Sequence, residues 1–264
     1  MRRPHWIAAL ALAFALIAPG MVVLGLLGTK FSWFPWGVAE VLTQRAPSPL
    51  ALLAISLGLI AGVMALMSKP RTGLVIPLIA VALGAGVYAI EAEKTAHEAR
   101  FPPVHDVSTT WSDPVMFSPG LIAARGADAN PVERAPLAPE AAKGGGLFAG
   151  RPIAEINART CPAAVPLTLT VAPDKAFAIA RAALNGHVRH GTLSDVREDK
   201  PTSVIEASFA NVWNMTEDVA IRVRPEGAGA RIDLRAVARH RVNDSGHACD
   251  LVADLRGRMQ TPQS

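Results

Sequence analysis

The chain has 264 residues and a formal net charge of +4, and the apolar half of its composition is concentrated in the first third. This distribution excludes a wholly soluble protein, because three long stretches without ionisable side chains would show polar faces if they were soluble core helices. The pI of about 9.4 does not indicate a nucleic-acid partner, since the polar part of the chain is expected outside the cytoplasm.

The first predicted elements are three membrane-spanning helices over residues 6–27, 50–67 and 74–90. Each stretch has about the 17–25 residues that a helix needs to cross a hydrocarbon core of about 30 Å. A transport pathway would require ionisable groups inside the membrane, and these three stretches contain none. We therefore expect residues 1–92 to form a three-helix transmembrane anchor whose first partner is the lipid bilayer.

The basic residues beside these stretches predict their orientation. Arg2 and Arg3 precede the first stretch, and Lys69 and Arg71 lie in the short turn between the second and third. Such dense positive flanks are typical of the cytoplasmic side, so three spans place the rest of the chain in the periplasm of a bacterial inner (plasma) membrane. A signal peptide that is cleaved near residue 28 remains the alternative interpretation of the first stretch.

Residues 93–164 are predicted to form an extended arm. Proline and glycine recur through most of this segment, as in Pro102-Pro103 and the glycine run 144–146. A segment of this kind cannot form a long helix and is expected to bury little. The glycine run is not a phosphate-binding loop, because no Gly-Lys-Ser/Thr follows it.

Residues 165–264 are predicted to form an α+β domain. The hydrophobic pattern predicts a helix over 173–185, a final helix that begins at Asp244 or Ser245, and strands over 165–171, 187–196, 203–211, 218–224 and 231–240. Short connections between consecutive strands favour antiparallel pairing. The expected fold is a two-layer antiparallel sheet with both helices on one face.

The face of the last two strands that points away from these helices is predicted to be basic. If the six-residue loop predicted over residues 225–230 sets the register, Arg222 lies opposite Asp233 and pairs with it. A functional interpretation is a site for an anionic envelope component, and the simpler interpretation is a solvated sheet face, which antiparallel sheets often have. The candidate binding residues on this face are Arg222, Arg224, Arg235 and Arg239.

Cys161 and Cys249 are the two cysteines of the chain. In an oxidising compartment, two cysteines on one small domain are expected to form a disulfide, which here would join the end of the arm to the last helix. Two unpaired, buried thiols are the alternative.

The sequence predicts no metal site, no cofactor and no catalytic residue. His187 and His190 would face opposite sides of a strand, and the remaining histidines are not clustered. The chain also lacks Gly-x-Ser-x-Gly, His-Glu-x-x-His and a dinucleotide-binding fingerprint. A binding protein is therefore favoured over an enzyme.

Two segments carry motifs that resemble the bacterial domain-of-unknown-function family numbered 1499. The first is Pro-Val-His-Asp-Val-Ser-Thr-Thr over residues 103–110, and the second begins at Glu217-Asp218 and ends at Asp244-Ser245-Gly246. The resemblance covers roughly residues 101–259 and implies a membrane-anchored member without a settled activity. The motif positions carried over from the family are His105, Asp106, Asp218, Arg235, Arg239, Asp244 and Gly246. The carboxylate of Asp244, which opens the last helix, is expected to pair with at least one of Arg235 and Arg239 and to fix the corner between strand and helix.

The second motif departs from the family pattern at several positions. Both of its serines are alanines here, Ala236 and Ala238, and its asparagine is Ala248. Arg241 stands where the glycine after the second arginine is expected. A polar site that depends on those serines would be lost in this chain.

Three functional hypotheses follow from these patterns. The leading one is a non-enzymatic inner-membrane protein whose periplasmic domain binds an anionic envelope component or another membrane protein. The alternative is a module that binds a small ligand or lipid in a groove between sheet and helices. The third is a hydrolase built around His105, Asp106 and Asp244.

Overall fold

The computed structural model describes residues 5–68, 73–140, 147–185 and 191–260. The chain divides into two compact units, a three-helix unit over residues 1–97 and a sheet domain over residues 98–264. Some residues on which the predictions depend lie outside these ranges: Arg2, Arg3, Lys69, Arg71, Gly144–Gly146, His187 and His190.

The three-helix unit contains the predicted anchor. Its helices are α1 (His5–Lys30), the short α2 (Trp36–Glu40), α3 (Pro47–Met67) and α4 (Val75–Glu98), and a π-helical turn (Val41–Arg45) leads from α2 into α3. Helices α1, α3 and α4 are long and apolar enough to cross a membrane, which confirms that prediction.

Small side chains hold these helices close together. Ala11, Ala15, Ala54 and Ala80 form a buried cluster. A Cβ atom on Gly84 would lie 2.9 Å from the backbone oxygen of Ala51. Glycine and alanine allow helix backbones to approach one another, as is common between helices in membranes.

The sheet domain is built on an antiparallel sheet, as predicted, and among the described residues this sheet has six strands rather than the five that the sequence predicts. The strand order is β1-β6-β5-β4-β3, and β2 pairs with the same edge of β6 as β1. The strands are β1 (Asp106–Ser108), β2 (Leu167–Leu169), β3 (Thr192–Asp199), β4 (Val204–Ala210), β5 (Thr216–Glu226) and β6 (Gly229–Ala238).

The hairpin between β5 and β6 has the register that the sequence predicts. Arg222 lies opposite Asp233, and the pairing continues to Glu226 and Gly229. The turn is therefore tighter than the expected six-residue loop. Gly227 has a φ of +58°, a left-handed conformation that glycine adopts readily and that suits a tight hairpin turn.

Two helices cover one face of the sheet, as expected. Their apolar stripes pack on the alternating inward side chains of β4, β5 and β6, such as Phe209, Ile221 and Leu234. The helices are α7 (Pro173–Ala183) and α8 (His247–Gln260). Cys161 and Cys249 form a disulfide with their Cα atoms 5.8 Å apart, and this bond joins α8 to the residue that follows α6 (Ile153–Thr160).

The opposite face of the sheet is not solvated, contrary to the simpler interpretation of its arginines. Val115, Phe117 and Leu121 pack there against Ala220 and Val237. These residues belong to the segment that was expected to bury little, and the same segment contributes β1 and α5 (Pro119–Arg125). Its elements are short and separated by prolines, so they show no periodicity from which the sequence predicts burial.

Candidate functional site

The basic face of β5 and β6 is a network of ion pairs rather than an open cationic surface. The buried carboxylate of Asp233 accepts hydrogen bonds from Arg222 at 3.2 Å, Arg224 at 2.6 Å, Arg231 at 2.9 Å and Thr110 at 2.6 Å. Burial alone would raise the pKa of Asp233, but the bonds from Thr110, Arg231 and Arg222 outweigh burial and hold that pKa below its ordinary value.

Arg235 is fully buried in this network. Its guanidinium donates to both carboxylate oxygens of Asp106, at 3.0 and 2.6 Å, and neither side chain is exposed. The backbone oxygens of Val115 and Glu133 accept further hydrogen bonds from it, and the Trp111 ring lies 5.4 Å away. A two-pronged ion pair of this kind fixes β1 on the edge of β6.

Asp218 is the third buried carboxylate on this face. It accepts two hydrogen bonds from Arg239, at 2.8 and 2.7 Å, and one from Arg125 at 2.6 Å. The hydroxyl of Ser208 also donates to it at 2.6 Å. The arginines that the sequence marks as candidate binding residues are therefore engaged with the protein's own carboxylates.

Asp244 has a different role from the one its position after β6 predicts. Its carboxylate accepts from the backbone N–H of Gly246 at 2.8 Å and of Ala248 at 3.0 Å. Arg235 and Arg239 bind other carboxylates, so the expected ion pair of Asp244 with one of them is wrong. Burial raises the pKa of Asp244 to about 6, although the two backbone donors act in the opposite direction.

Both the backbone conformation at position 246 and the close packing around it require a glycine. Its φ is +83°, and a Cβ atom there would lie 2.8 Å from the ring of Phe101. The turn that begins α8 thus brings Asp244 into position beside the start of β5.

A pocket of about 50 Å³ opens at this end of the sheet. It lies where β5 begins and β6 ends, beside the turn that leads into α8. The residues that line it are Asn211, Met215, Thr216, Glu217, Ala238, His240, Arg241, Asp244 and His247.

Glu217 is the most perturbed titratable group in the pocket. Its Oε2 atom is buried and has no hydrogen-bond partner among the described residues, and its Oε1 atom lies 3.6 Å from Nδ1 of His247. Burial raises the pKa of Glu217 to about 8, and the negative charges of Asp244 and Asp250 add to that effect. Strongly perturbed groups in a cleft are common at functional sites.

The two histidines next to the motifs are both neutral. Burial lowers the pKa of His105 and of His240 below the ordinary value. No hydrogen bond of the described residues joins His105, Asp106 and Asp244, because Asp106 binds Arg235 and Asp244 begins α8. The three residues of the hydrolase hypothesis therefore do not form a hydrogen-bonded catalytic set. Within the described ranges, no group of three His, Cys, Asp or Glu residues is placed to hold a metal ion.

The sequence points to the neighbours of Glu217 rather than to Glu217 itself. Asp218 was singled out from the same motif, but consecutive strand residues face opposite sides, so Glu217 points away from the arginines. Its partners in the pocket, Asp244 and His247, come from the start of α8. Only the tertiary contact between a strand start and a helix start brings these groups together.

The architecture defines a protein with an apolar three-helix unit followed by an antiparallel-sheet domain with two covering helices. The model of the family described as protein of unknown function (DUF1499) matches residues 106–259, from β1 to the last turn of α8. This match covers more than half of the chain, and the chain belongs to that family. No curated protein and no solved structure matches it.

Proposed function

We propose that this family member is an inner-membrane binding protein of bacteria. Its N-terminus lies in the cytoplasm, its sheet domain lies in the periplasm, and the pocket beside Glu217 binds an envelope component or a partner. The observation that carries the binding role is the buried Oε2 atom of Glu217, which has no partner in the described part of the chain although the residue lines an open pocket. Buried polar atoms normally have a partner, and an exception calls for an explanation.

The distribution of charge supports the proposed orientation. The N-terminus and the short turn after α3 carry the densest basic flanks, which favours the cytoplasm for both. The disulfide between Cys161 and Cys249 supports a periplasmic sheet domain, because such bonds persist in oxidising compartments.

Binding is a better fit to the pocket than catalysis. Glu217 has the raised pKa of a general acid, but the described residues that line the pocket include no cysteine or serine nucleophile, and Thr216 is the one residue among them that bears a hydroxyl. The arginine network on the other face of the sheet is also more consistent with a rigid scaffold than with a catalytic site, because carboxylates of the same domain bind its six guanidiniums.

Photocrosslinking in living cells tests this proposal. A photoreactive amino acid at Met215, which lines the pocket, should capture an envelope component, and the capture should be lost when Glu217→Gln is introduced. The same amino acid at Val165, an exposed residue outside the pocket lining, serves as the matched control and should not give that product. Equal capture from both positions, or capture that Glu217→Gln leaves unchanged, would contradict a binding role for the pocket.

A further inference from the structure

The pocket next to Glu217 restricts the kind of group that it can bind. Glu217 is 8% exposed, its Oε2 atom has no hydrogen-bond partner in the described residues, and the residue lines a cavity of about 50 Å³. A cavity of this size holds only a few non-hydrogen atoms, because one water needs roughly 10–15 Å³ on the same measure. A group that binds there and pairs with Glu217 must therefore be compact and able to donate a hydrogen bond to a carboxylate.

The charges around Glu217 favour a cation in that position. Asp218 is the next residue of the same strand, but its side chain lies on the opposite face of the sheet and is neutralised by Arg239 and Arg125, so it contributes little. The remaining charged and titratable groups around the pocket are Asp244 and Asp250 of the α8 region, Arg241 after β6, and the side chains of His240 and His247.

Arg241 does not compensate the carboxylates of this pocket fully. Its guanidinium donates to Glu98 at 2.5 Å, so part of its charge is used by a carboxylate that does not line the pocket. Burial also lowers the pKa of His240, which keeps that ring uncharged at neutral pH. Asp244 and Asp250 therefore outweigh one engaged guanidinium even while Glu217 is protonated, and their negative potential favours a cation in the pocket.

We propose that this pocket binds a primary ammonium group, which donates a hydrogen bond to the carboxylate of Glu217. A primary ammonium is compact and carries three N–H donors, whereas a quaternary ammonium has none. The inference rests on the proposed binding function of the pocket and adds the chemistry of the ligand. Either a soluble amine or the ethanolamine headgroup of a lipid can supply this group.

Binding of the ammonium group is coupled to loss of a proton from Glu217. The raised pKa of about 8 means that the carboxyl is mostly protonated at pH 7, whereas the ion pair requires the carboxylate. Binding at pH 7 should therefore release close to one proton per ligand, and binding at pH 9 should release almost none. The affinity should rise about tenfold between these two pH values.

Calorimetric titration of the full-length protein in phosphatidylcholine nanodiscs with ethylammonium tests the proposal. The measurement is made at pH 7 and pH 9, in buffers of different ionisation enthalpy that report the released proton. We expect saturable binding with the stated pH dependence and no binding of tetramethylammonium. Glu217→Gln should bind ethylammonium at least tenfold more weakly, and because glutamine resembles the protonated carboxyl, the fold should be retained.

The matched control is Glu226→Gln, which removes a partly exposed carboxylate from the other end of β5 and should leave the affinity unchanged. Equal affinity of wild type and Glu217→Gln, or affinity independent of pH, would overturn the proposal. Absence of ethylammonium binding would also overturn the proposal. If crosslinking from Met215 still depended on Glu217 in that case, the pocket would bind a ligand of another chemical class, and only the ammonium proposal would be wrong.

The lipid composition of the nanodiscs distinguishes the two sources of the ammonium group. Weaker ethylammonium binding in nanodiscs that contain phosphatidylethanolamine would identify the lipid headgroup as the source, because the headgroup competes for the pocket. Equal binding would identify a soluble amine.

Discussion

The buried carboxyl groups of the sheet domain differ in what surrounds them. Asp106, Asp218 and Asp233 each bind arginine, Glu206 accepts two hydrogen bonds from Ser118, and Asp244 accepts two backbone hydrogen bonds at the start of α8. Oε2 of Glu217 has no such partner among the described residues. The first five groups stabilise the fold, whereas Glu217 retains an unused acceptor at a pocket, and this contrast supports its proposed binding role.

Replacing Asp244 by alanine should destabilise the sheet domain by roughly 1–3 kcal/mol, because two buried backbone N–H groups lose their acceptor. Asp244→Asn should cost less, since the amide oxygen still accepts one of the two bonds. Thermal melting of both variants at pH 7 measures the difference. A melting temperature of Asp244→Ala equal to that of wild type would show that these hydrogen bonds do not hold the start of α8.

The ionisation of Glu217 predicts how stability depends on pH. Its pKa in the folded protein is about 8, above the ordinary value of 4.5, so the folded state binds the proton more tightly than the unfolded state. The penalty for ionising it is therefore absent below about pH 4.5, grows as pH rises, and is complete above about pH 8. Glu217→Gln should be more stable than wild type at pH 8, by up to roughly 4 kcal/mol, and about equal at pH 4.

Denaturation of wild type and Glu217→Gln across this pH range, in the same detergent, checks that expectation. Glu226→Gln is the control and should follow wild type at every pH. A stability difference between wild type and Glu217→Gln that does not change between pH 4 and pH 8 would rule out a raised pKa at Glu217.

At the scale of single residues, the sequence predicts contacts within a hairpin better than contacts across the chain. The pairing of Arg222 with Asp233 follows from the register of two neighbouring strands, and the structure contains it. The partner of Arg235 is Asp106, far away in the sequence on a three-residue strand. The pattern of neighbouring residues does not indicate the pair of Arg235 and Asp106. The sequence therefore predicts Asp244, which is close in the chain, as the partner of Arg235 or Arg239.

At the scale of secondary-structure elements, length and periodicity decide what the sequence predicts. Helices α7 and α8 and strands β4 to β6 are long enough for their hydrophobic alternation to be visible, and they occur close to the expected positions. Strand β1 and helices α5 and α6 were not expected. They are short, lie among prolines and glycines, and are stabilised by burial against the sheet rather than by local propensity.

The ion pair of Arg235 with Asp106 should hold β1 on the sheet. Asp106→Ala should destabilise the domain by roughly 3–5 kcal/mol, because it leaves a buried guanidinium without its carboxylate. The double variant Asp106→Ala/Arg235→Met should cost less than the sum of the two single changes. The half-exposed pair of Arg181 with Glu198 is the control, and its removal should change stability by about 1 kcal/mol or less. Strict additivity at Asp106 and Arg235 would contradict this role.

The disulfide should stabilise the link between the segment after α6 and helix α8. Cys161→Ser or Cys249→Ser should lower the stability of the sheet domain by roughly 4 kcal/mol on the loop-entropy estimate, since the bond closes a sequence separation of 88 residues. Both variants should stay in the membrane fraction. Peptide mapping without reductant should recover the two cysteines as one linked pair, and alkylation of both thiols in protein isolated without reductant would contradict the bond.

At the scale of the whole molecule, the division between an apolar unit and a polar domain is visible in the sequence because the length of a membrane span is a physical constant. The three long helices and the antiparallel sheet both occur as expected. The covered second face of the sheet was not predicted, since burial there depends on ion pairs between residues distant in sequence. Family membership accounts for the sheet domain and assigns no activity to the pocket.

The proposed orientation, the oxidation of the cysteines and the binding of envelope ligands all depend on the side of the membrane that the sheet domain occupies. Alkaline phosphatase is active only after export, so a fusion after Ser264 should be active and a fusion at Lys69 should be inactive, with both proteins present at similar levels. The reverse pattern of activity would place the sheet domain in the cytoplasm. It would contradict the proposed orientation, the oxidising environment of the disulfide and the binding of envelope ligands in the pocket.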